Sequence, residues 1–397
     1  MLEVSTPSIK YDLLTAKEIK KNIGCKVVLC GPHATYFHKE LIKENPFIDV
    51  CIRYEFENII KNICNALKEK RPLREVKGIT FRENGKAVIN ENAELIENLD
   101  ELPFPDRESF KIENYQQAFF SGGKTASMIS SRGCPYYCTF CVWPDTMYGH
   151  RHRTRSAENV VDEIEFLIKN QGVDEIFFDD DTFAINKKRM QEISKEMIKR
   201  NLKISWICMG RVNTVDEETI GLMKKAGCTQ IFYGFESGSE KILNSIKKGI
   251  RKEESIKAVR LTQKAGLVAG GSFVFGTPQE SKRTVAETIR FAKRLKADYV
   301  QFTLAAPFPG TRFYEEAKQK NLLDISSWED LDGAHGAIVR TENLTKKELA
   351  GVIRKAYISY YISPGVIWQN FKKMRKDRAR VFRGFKSLLS RIFYYKK

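Results

Sequence analysis

Short apolar runs alternate with amphipathic stretches along most of the chain, and the alternation falls into two blocks. In the first, Lys26-Val27-Val28-Leu29-Cys30, ended by Gly31-Pro32, and Ile48-Asp49-Val50-Cys51-Ile52 are short and apolar, which predicts buried strands. Residues 14–23, 37–43 and 56–68 carry apolar positions at helical spacing. Such alternation predicts a parallel α/β sheet over 1–75, short for a complete doubly wound domain. Gly78-Ile79-Thr80-Phe81-Arg82 and Lys86-Ala87-Val88-Ile89 then flank Glu83-Asn84-Gly85, whose Asn-Gly predicts a hairpin. Leu102-Pro103-Phe104-Pro105-Asp106 breaks regular structure, so 76–120 reads as a connector.

The second block begins at Ala126. Apolar runs recur at 126–130, 175–178, 203–209, 229–235, 267–275 and 298–304, with helical patterns between them. Ser156 is placed as an N-cap, with Glu158 in the first turn and Val160, Ile164 and Leu167 on one face. Gly227 and Gly266 stop the helices predicted over 216–226 and 251–265. Six β/α units within 121–325 predict a partial (β/α)6 TIM-like barrel, its site at the carboxyl ends of the strands. Residues 326–397 predict a helical region: a helix over 344–361, ended by Ser363-Pro364-Gly365, then a tail mixing bulky apolar and basic residues.

Composition narrows the class. The 397 residues are 42% hydrophobic and 29% charged, ordinary for a globular α/β protein. No apolar run reaches the ~18 residues of a membrane span. Met1-Leu2-Glu3-Val4-Ser5 lacks a signal peptide's basic start and apolar run, so a cytoplasmic chain is expected. Nine cysteines, an odd number, point to thiols or metal ligands rather than disulfides. Residues 371–397 hold eleven Lys and Arg against Asp377 alone, so this tail carries +10 of the net +17. Bulky apolar residues among those charges predict a basic amphipathic helix lying on an anionic membrane surface. No RNA-recognition motif accompanies the charge, and nucleic acid is not an expected partner.

The candidate chemistry starts at Cys134, Cys138 and Cys141, spaced C-x3-C-x2-C with no fourth cysteine at ligand spacing. Thiolates suit zinc or iron–sulfur clusters, but structural zinc takes four protein ligands and a cubic 4Fe–4S cluster normally takes four thiolates. Three thiolates leave one metal corner open. Asp179-Asp180-Asp181 ends the second strand, where carboxylates are costly if buried without partners, or else form a solvated helix cap. Arg211 follows the third strand and either grips a carboxylate through two parallel hydrogen bonds or is a surface arginine. Gly234-Phe235-Glu236-Ser237-Gly238-Ser239 ends the fourth strand, as a ligand loop, a helix cap, or both. Gly276-Thr277-Pro278-Gln279-Glu280 and Pro307-Phe308-Pro309-Gly310-Thr311 end the fifth and sixth. His150 and His152 read as basic surface. Cys25, Cys30, Cys51, Cys64, Cys208 and Cys228 read mostly as core.

These motifs together resemble the radical SAM superfamily, in particular the type with an N-terminal cobalamin-binding domain. That type includes anaerobic magnesium-protoporphyrin monomethyl ester cyclase and lipid-directed methylases. The resemblance implies that Cys134, Cys138 and Cys141 hold a catalytic 4Fe–4S cluster whose open iron binds S-adenosylmethionine. It implies Phe140 beside the adenine, Asp179 and Asp180 at the amino group, and Arg211 at the carboxylate. Glu236 and Ser237 are then at the ribose or ammonium, and Gly276 at the adenine. Cys30-Gly31-Pro32-His33-Ala34-Thr35 resembles the Gly-Gly-Pro-His-Ala-Thr stretch of a flavodoxin-like (Rossmann-like) cobalamin domain, of which this block is a half. Arg53-Tyr54-Glu55-Phe56-Glu57 stands where a Gly-Glu-Gly-Glu run is usual. The strands that carry an Asp-x-His-x-x-Gly cobalamin loop are absent from the sequence, so the half-domain is read as truncated or as a scaffold and cobalamin stays open. The implied activity is reductive cleavage of S-adenosylmethionine for C-methylation or oxidative tailoring of a lipophilic or tetrapyrrole substrate. A flavodoxin or ferredoxin would supply the electron. The alternatives are methylthio transfer to RNA or protein, which lacks its second cluster motif here, and a non-catalytic metal-binding scaffold.

Overall fold

The computed structural model describes residues 1–109, 112, 123–332 and 339–368. The basic tail expected over 371–397 therefore lies outside the described residues. The chain divides into two compact units, and each is interleaved in sequence. One comprises Met1–Glu97, Gly133–His152 and Ala306–Val339; the other Asn98–Arg132, Arg153–Ala305 and Arg340–Lys397. These units cut across the four consecutive segments expected from the sequence.

The first unit opens with β1 (Leu2–Glu3), α1 (Ile9–Ile23), β2 (Val28–Cys30), α2 (Pro32–Tyr36), α3 (His38–Glu44), β3 (Val50–Ile52) and α4 (Glu57–Lys68). The hairpin β4 (Ile79–Glu83) and β5 (Lys86–Ile89) completes a five-stranded sheet in the order β1-β2-β3-β4-β5. β1, β2 and β3 are parallel, and β4 and β5 are antiparallel. Successive residues of a strand face opposite sides. Leu29 and Cys51 accordingly join Ile9, Ala16, Leu41 and Ile42 on one face, while Val28, Cys30, Val50 and Ile52 join Ile59, Ile63 and Phe81 on the other. That two-sided burial is why both strands read as unbroken apolar runs. Asn84 and Gly85 both adopt positive φ, 48° and 77°, the paired geometry of a two-residue hairpin turn. The hairpin is part of the sheet rather than a connector, because β4 covers the open edge of β3 and contributes Ile79 and Phe81 to the second core.

The second unit contains β6 (Thr125–Met128), the two-residue strands β7 (Ser131–Arg132) and β8 (Arg153–Thr154), and then α5 (Ala157–Gln171), β9 (Glu175–Phe178), α6 (Lys187–Lys199), β10 (Ser205–Gly210), α7 (Glu217–Lys225) and β11 (Cys228–Glu236). It continues through α8 (Glu240–Ser245), α9 (Lys252–Lys264), β12 (Val268–Phe275), α10 (Lys282–Leu295) and β13 (Tyr299–Leu304). α11 (Arg312–Gln319) returns to the first unit and α12 (Lys346–Tyr361) to the second. The six expected strands form one all-parallel sheet in the order β13-β12-β11-β10-β9-β6. α5, α6, α7, α10 and α12 start at side-chain caps, Ser156, Asn186, Asp216, Ser281 and Thr345, each accepting a backbone N–H of the first turn. Aromatic packing fills the core: Phe178, Phe183 and Trp206 form one cluster, and Phe235, Phe273, Phe302 and Tyr357 another.

Both edges of this sheet are covered, as unpaired edges invite aggregation. At β13, the Tyr357 hydroxyl bonds the Phe302 N–H and carbonyl at 3.1 and 3.2 Å. At β6, Arg107 donates to the Ser127 carbonyl at 2.8 Å and Arg155 to that of Ile129 at 3.1 Å. The buried Glu163 carboxylate pairs with both guanidiniums.

Candidate functional site

The three motif cysteines lie on one loop of the first unit. Gly133 opens it at φ 83°, where a Cβ would press on the Gly149 and Arg151 carbonyls, so only glycine fits. The Cys134 N–H donates to the Gly149 carbonyl at 3.3 Å and the Cys141 N–H to that of Cys138 at 3.1 Å. The Phe313 N–H donates to the Thr139 carbonyl at 2.8 Å. A single π-helical turn, Pro144–Tyr148, follows; such turns are frequent at functional sites. None of the three motif cysteines is in a disulfide; Cys134 is buried, Cys138 and Cys141 half-buried. Phe140 is half-buried on the same loop. Among the described residues no three His, Cys, Asp or Glu side chains converge as a metal-ligating group. What fits a 4Fe–4S cluster is the donor set: three soft thiols within eight residues, with no fourth cysteine at ligand spacing in the sequence.

His150, read from sequence as surface, belongs to this loop. Its Nδ1 lies 3.1 Å from the Cys134 carbonyl and its Nε2 3.0 Å from Asp145, with Tyr137 stacked on the ring at 4.0 Å. No spacing rule signals this, because the partners are set by the loop's path.

The remaining candidates lie in the second unit, at or just beyond strand ends. Asp179 and Asp180 follow β9 and differ sharply. Asp180 is buried and accepts the Ser130 N–H and hydroxyl, both at 2.7 Å, and the Ser131 hydroxyl. It anchors the stretch leading into the cysteine motif. Asp179 is exposed and lacks such donors; desolvation by its surroundings, then the Asp180 charge, raises its carboxyl to about 6. It borders a cavity of about 530 Å³ lined also by Leu102, Pro105, Ile129, Arg132 and Arg155.

Arg211 follows β10, buried, with Nε donating to Asn213 at 3.0 Å and Nη2 to the Lys248 carbonyl. Glu236 ends β11 and is paired with Lys248 at 2.7 Å. Ser237 is committed to the Thr288 hydroxyl at 3.0 Å, behind the strand end on α10. Gly276 turns at φ 91° after β12, with Leu349 of α12 only 3.7 Å from where a Cβ would stand. The structure thus brings Arg211 and Glu236 together around Lys248, and turns Asp180 and Ser237 toward internal bonds. Lys248 and Glu280 escaped sequence reasoning as site residues. Glu280 is fully buried, and burial raises its carboxyl to about 7. It accepts the Thr284 hydroxyl and the Gly276 N–H, while its Oε2 has no hydrogen-bond partner.

Comparison with known proteins gives the family. Residues 128–292 match the radical SAM superfamily. A Pyrococcus horikoshii protein named as an uncharacterized methyltransferase is 39% identical over 365 residues, 91% of this chain and 78% of that one. The anaerobic magnesium-protoporphyrin IX monomethyl ester cyclase of Cereibacter sphaeroides is 29% identical over 98% of this chain, which spans 65% of the cyclase's length. Among solved structures, the cobalamin-dependent S-adenosylmethionine radical enzyme OxsB, with aqua-cobalamin and S-adenosylmethionine bound, shares the fold at a TM-score of 0.76. Its identity is 17%, over 99% of this chain and 63% of OxsB.

Proposed function

The chain belongs to the radical SAM superfamily, and from that premise we propose that it cleaves S-adenosylmethionine reductively to C-methylate or oxidatively tailor a small lipophilic or tetrapyrrole-type substrate. The observation that carries this is the C-x3-C-x2-C loop, which puts three cysteines outside any disulfide on one short turn of chain. Cys134, Cys138 and Cys141 would hold the 4Fe–4S cluster. A reduced cluster held there would supply the one electron that S-adenosylmethionine needs for cleavage of its C5′–S bond to methionine and a 5′-deoxyadenosyl radical.

The chain's own residues bind and orient. Asp179, short of donors, accepts the ammonium group, and Arg211 grips the carboxylate. Glu236 accepts the ribose hydroxyls, Phe140 packs beside the adenine, and Gly276 lets backbone approach it. Ser237 and Asp180 support these positions through their internal bonds. The relatives that act on tetrapyrroles support a flat, apolar substrate class. A flavodoxin- or ferredoxin-type donor supplies the electron, and the basic tail contacts an anionic membrane surface; no described helix is long and apolar enough to cross one. Cobalamin is a separate question. OxsB binds it, whereas His33, Arg53 and Glu55 of this chain are committed to internal bonds, which supports a scaffold.

Anaerobic reconstitution tests the reading. The expected result is a brown chain with about four irons that releases 5′-deoxyadenosine from S-adenosylmethionine with a reductant. Colourless protein with stoichiometric zinc would overturn it.

A further inference from the structure

Glu236 ends β11 at φ 58°, left-handed geometry that a non-glycine residue keeps only with support from its surroundings. The support is Lys248. Its Nζ lies 2.7 Å from the Glu236 Oε1, and the two side chains are 12% and 6% exposed. A carboxylate this buried is costly to leave without a partner.

Lys248 meets Arg211 through its other end. Its carbonyl accepts Arg211 Nη2, and a Cβ on the next residue, Gly249, would stand 3.4 Å from the same nitrogen. Asn213 closes the circle, accepting Arg211 Nε at 3.0 Å and donating to the Gly249 carbonyl at 3.5 Å. The loop is stiff. Lys247 and Gly249 take positive φ, 51° and 63°. The Lys248 N–H donates to the Leu243 carbonyl at 3.0 Å, and Ile246 and Ile250 are buried on either side. Gly234 makes room for the ion pair, since a Cβ there would stand 2.7 Å from Lys248 Nζ and closer still to Glu236 Oε1.

We propose that Lys248 is a positioning residue for S-adenosylmethionine, aiming Glu236 with its ammonium group while its carbonyl fixes Arg211. The inference rests on the reading of Arg211 and Glu236 as S-adenosylmethionine contacts. It assigns the loop between α8 and α9 a task that a surface turn would not have. Removing the ammonium group leaves Glu236 buried without its cation and free to leave the left-handed geometry, so affinity for S-adenosylmethionine suffers before turnover does.

The test is titration calorimetry of S-adenosylmethionine, without reductant, on anaerobically reconstituted full-length chain, for wild type, Lys248→Met, Lys248→Arg, Gly234→Ala, Glu236→Gln and the double variant Lys248→Met/Glu236→Gln. Lys248→Met is expected to weaken binding about tenfold or more, with iron content unchanged and the melting temperature lowered only modestly by the buried carboxylate left without its cation. Its KM for S-adenosylmethionine rises more than kcat falls. Lys248→Arg restores most of the affinity, and Gly234→Ala weakens binding by crowding the pair. In the Glu236→Gln background Lys248→Met adds less than about twofold, because both changes remove one interaction. Wild-type affinity in Lys248→Met, or full additivity with Glu236→Gln, would overturn the proposal. So would binding that falls only in step with the melting temperature in both Lys248→Met and Gly234→Ala. A wild-type chain that neither binds nor cleaves S-adenosylmethionine would instead remove the parent reading.

Discussion

The carboxyl ends of the strands in the two sheets use similar residue types and differ in what is left over. In the first unit the polar groups close on each other. His33 Nδ1 meets the Thr6 hydroxyl at 3.1 Å, and Thr35 accepts the Tyr54 N–H at 2.9 Å. Arg53 donates to the Ile79 and Asn90 carbonyls, to Thr80 and to Asn92, all within 3.0 Å. Tyr54 even takes φ 63°, the geometry suited to the glycine that the resembling family usually has there. In the second unit the strand ends hold titratable and charged groups: an exposed Asp179 with its carboxyl raised, Arg211 and Glu236 gathered by Lys248, and a buried Glu280 with an unpartnered oxygen. The first network is what the scaffold proposal rests on, and the second is what is proposed to receive S-adenosylmethionine.

The largest expected effect separates the cysteines of the two regions. Cys134→Ala, Cys138→Ala or Cys141→Ala should each abolish iron retention and 5′-deoxyadenosine release. Cys30 and Cys51 are buried in the first sheet, with their thiols held well above the usual range by desolvation, Cys30 to about 12. Thiols so reluctant to ionise are poor iron ligands, so Cys30→Ala and Cys51→Ala should retain full iron. Iron analysis decides it: loss of iron in either of these two would break the distinction.

Next come stability effects that read the same contrast in packing. Phe273 is fully buried among Phe235, Phe291 and Phe302, and Phe273→Ala should cost about 3–5 kcal/mol. Arg53→Met in the first unit strips donors from four acceptors and should cost about 2–4 kcal/mol, with iron content unchanged. Urea unfolding measures both. An Arg53→Met effect under about 0.5 kcal/mol would show that the closed network is decoration.

Much of this was legible beforehand, for identifiable reasons. β9 falls on the predicted Glu175–Phe178, and Ser156 caps α5, since apolar runs and caps are local signals. The Asn84-Gly85 turn was readable, but not its sheet, because pairing with β3 depends on a distant edge. Asp179 and Asp180 are indistinguishable as neighbours in sequence. What separates them is Ser130 and Ser131, about fifty positions upstream, which reach only one. Lys248 was invisible for the same reason: one lysine in a basic loop looks like solvent-facing charge until the fold lays it over Gly234.

The smallest effect is the sharpest test of the contrast, because its sign differs between the regions. Asp179 is raised to about 6 by desolvation first and Asp180 second. Between about pH 4 and 6 the folded chain therefore keeps a proton that the unfolded chain has released. Its contribution to stability is present below pH 4 and is lost as pH rises through 6. Asp179→Asn should thus stabilise the cluster-free chain at pH 7 by about 1–2 kcal/mol, allowing for partial exposure, while weakening S-adenosylmethionine binding. His33 runs the other way. Burial lowers it to about 4, so the unfolded chain takes up a proton below about 6.5 that the folded chain refuses. The resulting cost is absent above pH 6.5 and grows as pH falls toward 4, and His33→Gln should remove it. Urea unfolding of wild type and each variant from pH 4 to 7 gives two difference curves. They are expected to slope oppositely, and slopes of one sign would mean that the two sets of strand ends are not the open and closed networks described.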